Sequence, residues 1–139
     1  MQPVPVPQYH TRAWLFAALV VTAAAGIGSK VYDGPGQAWA REHGGGVLYE
    51  MFWILAVALV WPRRHGLPWV SIAVLTVTCG LEAAQLWHPP WLERIRATFL
   101  GHALLGSTFS WGDFPHYVLG CGLGWLLGWW ICPKVAGSG

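Results

Sequence analysis

Six polar side chains stand where a mostly apolar chain has least use for them. Glu82 and Gln85 close a long apolar run, Arg94 and Arg96 follow the Pro89-Pro90 break, Asp113 opens the next run, and Glu50 sits one turn into an earlier one. An ionisable group at membrane depth is costly unless it is paired, so such groups mark either function or obligatory packing. Two readings are open to this set. As a pocket, Arg96 holds an anionic head group while Glu82 and Asp113 orient it; a carboxylate base would extend this to chemistry on a lipid-linked substrate. As a scaffold, the same residues form a buried salt-bridge cluster that orients the helices, an arrangement that adds specificity more than net stability. No motif supports a catalytic assignment, so no catalytic residue is named.

Spacing favours convergence. Glu82 and Gln85 are three residues apart and share one helix face. Glu82 lies five residues before Trp87, roughly 7–8 Å along a helix axis, which places it near one membrane interface. Arg94 or Arg96 can swing back after the Pro-Pro turn to pair with it. Asp113, just ahead of Phe114-Pro115, is placed to cap a helix start and face its dipole. His88, His102 and His116 recur every 14 residues, but no partner motif makes them metal or haem ligands. Cys79, Cys121 and Cys132 form no CxxC pair and read as small buried hydrophobes, with no disulfide framework and no zinc site. No cofactor is expected.

The elements that must carry these residues follow from composition. The 139 residues are 55% hydrophobic and 10% charged, with 11 Trp. A soluble domain is about a quarter charged, so the chain is expected to be an all-α polytopic membrane protein. A net charge of +2 argues against nucleic-acid binding. Residues 1–12 are Pro-rich and read as a flexible tail, residues 13–133 as one four-helix transmembrane domain, and residues 134–139 as a short C-terminal tail. The four apolar runs are Ala13 to about Gly28, Gly46 to Trp61, Pro68 to Trp87, and Phe114 to Cys132. The first has a rival reading as a signal peptide cleaved near Ala23-Ala24-Ala25. Residues 29–45 read as a Gly-rich loop. Between the third and fourth runs, residues 91–97 read as an interfacial helix and residues 98–110 as a re-entrant or surface-lying element.

Gly120, Gly124 and Gly128 share one face of the last run, the spacing by which membrane helices approach closely, whether within the chain or against another copy. Most tryptophans read as interfacial belts. Arg12, Arg63, Arg64 and Lys134 fall on one side and Lys30, Arg41, Arg94 and Arg96 on the other. The count is a tie; the very short Arg63-Arg64 loop favours both termini in the cytoplasm.

One stretch of the chain carries a recognisable pattern. Cys79, Glu82, Gln85-Leu86-Trp87, Pro90-Trp91-Leu92, Ile95-Arg96, Thr98, Gly101, Leu104-Leu105-Gly106, Phe109, Trp111, Asp113, Tyr117 and Gly120 follow one another in a single register. This resembles the DUF2809 family of small bacterial membrane proteins. Upstream, Gly26-Ile27-Gly28-Ser29-Lys30 and Gly45-Gly46-Val47-Leu48-Tyr49 resemble further family segments, with Lys30 in place of arginine and Gly46 in place of aspartate. The missing aspartate takes one acid from the supposed pocket, for which Glu50 can compensate one turn away. The Glu-x-x-Gln, Arg and Asp pattern is also similar to VanZ-like proteins at the level of fold analogy. The resemblance implies a bacterial inner-membrane location and no set activity. The expected role is an accessory or structural subunit of a larger membrane complex. The alternative is a protein that binds a lipid or amphiphile head group at the polar cluster. Expected partners are membrane lipids and either a larger complex or further copies of the chain.

Overall fold

The computed structural model describes residues 8–106 and 108–134. The described residues are helical or connecting, with no strand among them. Four long helices form the body: α1 (Gln8–Val31), α3 (Gly45–Val60), α4 (Leu67–Ala84) and α7 (Asp113–Ile131). A single turn, α2 (Gln37–Trp39), leads through a wide π turn (Ala40–Gly44) into α3. Two short helices, α5 (Pro90–Arg96) and α6 (Phe99–Leu105), lie between α4 and α7.

Three segments are long and apolar enough to cross a membrane: Tyr9–Val31, Gln37–Val60 and Arg64–Ala84. This is the build of an all-α membrane protein. The fourth long helix, α7, has 19 residues, or about 28 Å at 1.5 Å per residue. It begins with Asp113, carries four glycines and is not among those three segments.

Two boundaries differ from the sequence expectation. Residues 8–12, assigned to the N-terminal tail, belong to α1, where Thr11 is buried; residues 1–7 lie outside the described residues, as do residues 135–139 of the C-terminal tail. Residues 37–44, assigned to a loop because of their glycines and charges, are helical. The chain turns at Gly36, whose φ of 76° is left-handed, and the glycines that follow serve close packing. Gly44 faces Ser29, Gly45 faces the Lys30 side chain, and Gly46 faces the Tyr117 ring.

Helix α3 is central, packing against α1 on one flank and α7 on another, while α4 packs on both α7 and α3. The approach of α7 to α3 depends on its glycine face. A Cβ on Gly120 would stand 2.8 Å from the Glu50 Cβ, and one on Gly124 would stand 3.1 Å from the Met51 Cα. Gly128 in turn meets Leu67. The small-residue face is therefore used within the chain. Such contact matters in a bilayer, where lipid is as apolar as leucine and helices associate through packing and hydrogen bonds.

The two ends of the bundle differ. At one end Leu15, Leu55, Ala58, Leu67 and Cys132 form a fully apolar core. The surface there carries Arg63 over the Trp61 ring at 5.2 Å and Arg64 over the Trp129 ring at 3.9 Å, cation–π pairs suited to an interface. The buried charged and amide side chains Glu50, Glu82, Gln85 and Arg96 lie away from that end.

Candidate functional site

Glu82 is in the last turn of α4 and almost wholly buried. Three donors reach its carboxylate. Ser110 N donates to Oε1 at 2.7 Å, while Tyr117 Oη and Gln85 Nε2 donate to Oε2 at 2.8 and 3.0 Å. Gln85 Nε2 also reaches Leu105 O at 3.2 Å. Glu82 thus ties the end of α4 to α7 and to the connection that follows α6. Gly106, with φ 67°, lets that connection pass over Gln85, since a Cβ there would stand 2.5 Å from Gln85 Nε2.

No arginine pairs with Glu82 in this arrangement. Arg96 swings back after the Pro-Pro turn as expected, but its targets are backbone carbonyls. Nη2 donates to Ala84 O at 2.9 Å and Nη1 to Trp87 O at 2.8 Å, with Glu93 Oε1 also accepting from Nη1 at 2.9 Å. The buried Arg96 guanidinium adds charge-assisted bonds at and just beyond the end of α4, where Ala84 O also accepts from Trp87 N at 3.0 Å. Arg94 is exposed and does not join the cluster. Glu93 accepts from His88 Nδ1 at 3.0 Å; this bond, with that from Arg96, holds its carboxyl below the usual carboxylate range.

Asp113 is the first residue of α7 but makes no side-chain cap. Its carboxylate accepts from His43 Nδ1 at 3.2 Å, on the π turn. The His43 ring stacks on His116, 4.1 Å between centroids. His116 Nδ1 donates to Gly112 O at 2.6 Å, which leaves Nε2 to accept from Trp39 Nε1 at 3.0 Å. His88, His102 and His116 do not gather, and among the described residues no three metal-ligating side chains cluster.

Glu50 is fully buried between α3 and α7 and stands apart from these contacts: neither carboxylate oxygen has a hydrogen-bond partner among the described residues. The expected convergence of six polar residues therefore resolves into separate units: a Glu82–Gln85–Tyr117 hub, an Arg96 cap, an Asp113–His43 pair and an isolated Glu50. His43 and Trp39 had no local sequence signal. Tyr117 stood in the recognised pattern and shares the α7 face with Gly120 and Gly124, but its bond to Glu82 came only from the fold.

A cavity of about 800 Å³ lies over α3 between α1 and α4. Its walls are apolar, with Ala23 and Ile27 from α1, Phe52 and Trp53 from α3, and Leu81 from α4. The short helix α6 covers one end, held to α3 by Tyr49 Oη donating to Leu104 O at 2.9 Å. At that end the lining is polar, with Lys30, Glu42, Glu82, Gln85, Asp113 and Tyr117. The arrangement can hold an elongated molecule that is apolar along its length and polar at one end.

A family model described as a protein of unknown function (DUF2809) matches residues 36–121. The chain belongs to the DUF2809 family. The matched part runs from the turn before α2 into the middle of α7 and contains Glu50, Glu82, Gln85, Arg96, Asp113 and Tyr117. No solved structure matches the chain. Where the DUF2809 pattern has aspartate, Gly46 lines the cavity here, and a Cβ would stand 3.0 Å from the Tyr117 ring. Glu50, one turn on from Gly46, lies outside the lining and adds no acid to the cavity.

Proposed function

We propose that this DUF2809 protein binds an amphiphile drawn from the surrounding bilayer, with α1, α3, α4 and α7 as four membrane crossings and both termini in the cytoplasm of a bacterial cell. The cavity is the observation that carries this reading. Its long walls are apolar and its closed end is polar, which matches a molecule with a hydrocarbon body and a hydrogen-bonding head. Sequence alone pointed to an anionic head held by Arg96. The positions of the charges favour the opposite sign. Arg96 is spent on the α4 carbonyls, and Lys30 Nζ donates to Arg41 O at 2.9 Å. The acids Glu42, Glu82 and Asp113 line the polar end. A head group rich in donors or carrying positive charge suits that lining.

Native mass spectrometry of the protein gently extracted from its own membrane tests the reading, with Ala23→Trp to fill the cavity and the lipid-facing Trp130→Ala as control. The expected result is a defined small molecule on the wild type and on Trp130→Ala, lost from Ala23→Trp. A bare chain with stoichiometric partner proteins would replace this reading with that of an accessory subunit. Reporters fused to each terminus test the span count; opposite sides would remove α7 from the membrane crossings.

A further inference from the structure

Glu50 lies where α7 comes closest to α3. Its side chain is 0% exposed and both carboxylate oxygens lack a partner among the described residues. A bare carboxylate charge in such surroundings costs far more than any single buried hydrogen bond returns. The basic side chains that could compensate are engaged elsewhere: Lys30 with the Arg41 carbonyl and Arg96 with the end of α4, while the His43 ring bonds Asp113. The titratable groups within electrostatic reach of Glu50 are Tyr49 on its own helix, Cys79 on α4, and Tyr117 and Cys121 on α7. None brings positive charge, and Tyr117 gives its proton to Glu82.

One hydroxyl decides the chemistry. Thr78, on the α4 face that also carries Ser71 and Glu82, stands beside Glu50. Its hydrogen is donated to Val74 O at 3.0 Å. With its hydrogen so placed, Thr78 Oγ1 has lone pairs left to accept. A carboxylate gains nothing from such a neighbour, whereas a carboxylic acid can donate to it.

We propose that Glu50 is a proton-binding site, an un-ionised carboxylic acid whose hydroxyl donates to Thr78 Oγ1. It is distinct from the cavity and does not rest on what the cavity binds, but it sits one side chain behind the cavity wall, because Thr78 and Tyr117 both line that wall. Exchange of the proton runs past Thr78, since the opposite end of the bundle is closed by the apolar core around Leu15 and Leu55.

The test is infrared spectroscopy of the full chain in a maltoside detergent, which has no carbonyl of its own, at neutral pH in light and heavy water. The expected result is one carboxylic-acid C=O band that shifts in heavy water, disappears in Glu50→Gln and remains in Glu82→Gln. Absence of the band in the wild type, as a charged Glu50 paired with water or a metal cation would give, overturns the proposal. So does a band that survives Glu50→Gln. Should Glu50→Gln not fold, Thr78→Val serves instead: loss of the acceptor moves the acid band to higher frequency, and an unmoved band overturns the assignment.

Discussion

Glu82 and Glu50 are both buried carboxyls on long helices of one bundle, and they are held in opposite ways. Glu82 is 1% exposed and receives three hydrogen bonds from α4, α7 and the connection between them. Glu50 is 0% exposed and receives none among the described residues. The difference follows from position along the helices. Glu82 lies at the end of α4, where connecting backbone such as Ser110 N has free donors to offer. Glu50 lies within α3 against the Gly120 face of α7, where neighbouring backbone is committed to helical hydrogen bonds. A carboxylate is a useful tie at a helix end; at mid-bundle the same group needs a proton or a counter-ion.

The strongest way to break this comparison is truncation of the hub. Glu82→Ala leaves the Ser110 amide, the Gln85 amide and the Tyr117 hydroxyl without their acceptor, and the expected loss is roughly 3–5 kcal/mol in detergent unfolding. The isosteric pair sharpens it further. Glu82→Gln puts an amide donor against either the Ser110 amide or the Tyr117 and Gln85 donors, so it should cost clearly more than Glu50→Gln, expected at about 1 kcal/mol. Equal costs would mean that the two acids are held alike.

Arg96 tests whether the polar end is scaffold or anion site. Arg96→Ala should lose roughly 1.5–3 kcal/mol of stability through the lost charge-assisted bonds to the Ala84 and Trp87 carbonyls. Unchanged stability together with loss of a bound anionic lipid would restore the anion-binding reading.

Gly120→Ala examines the close approach that isolates Glu50. Its methyl would press on the Val47 backbone and the Glu50 Cβ, so a loss of about 1–3 kcal/mol is expected in the same unfolding measurement. The smallest effect belongs to Glu93, whose carboxyl is held below its usual range by His88 and Arg96. A lowered carboxyl contributes stability above its unfolded-state value and loses it as pH falls through its lower folded value. Glu93→Gln should therefore lower stability slightly at neutral pH and leave acid pH nearly unchanged, which flattens the acid limb of the stability profile.

Much of the fold was legible locally. Hydropathy located the helical cores because an apolar run of bilayer length has few other uses. Four-residue glycine spacing gave the contact face of α7, and three-residue spacing put Glu82 beside Gln85, a bond the structure contains. The same local logic misplaced residues 37–44, because glycines were taken as loop formers when their role is close packing against Ser29, Lys30 and Tyr117. Partners were the least legible part of the site. Tyr117 reaches Glu82 across 35 positions and His43 reaches Asp113 across 70, and no periodicity spans such separations. Arg96 shows the limit most clearly: its return after the Pro-Pro turn was foreseeable, but whether it met Glu82 or the carbonyls at a helix end was not.

The sequence by itself determined the class of molecule, its helical cores and its family, because these depend on composition and on repeats within a few residues. Only the tertiary structure decided which acid is satisfied, which is alone, where the arginine is spent and that a cavity opens between α1 and α4. Those outcomes depend on which groups come within about 3 Å of one another, and that distance is set by how whole helices pack.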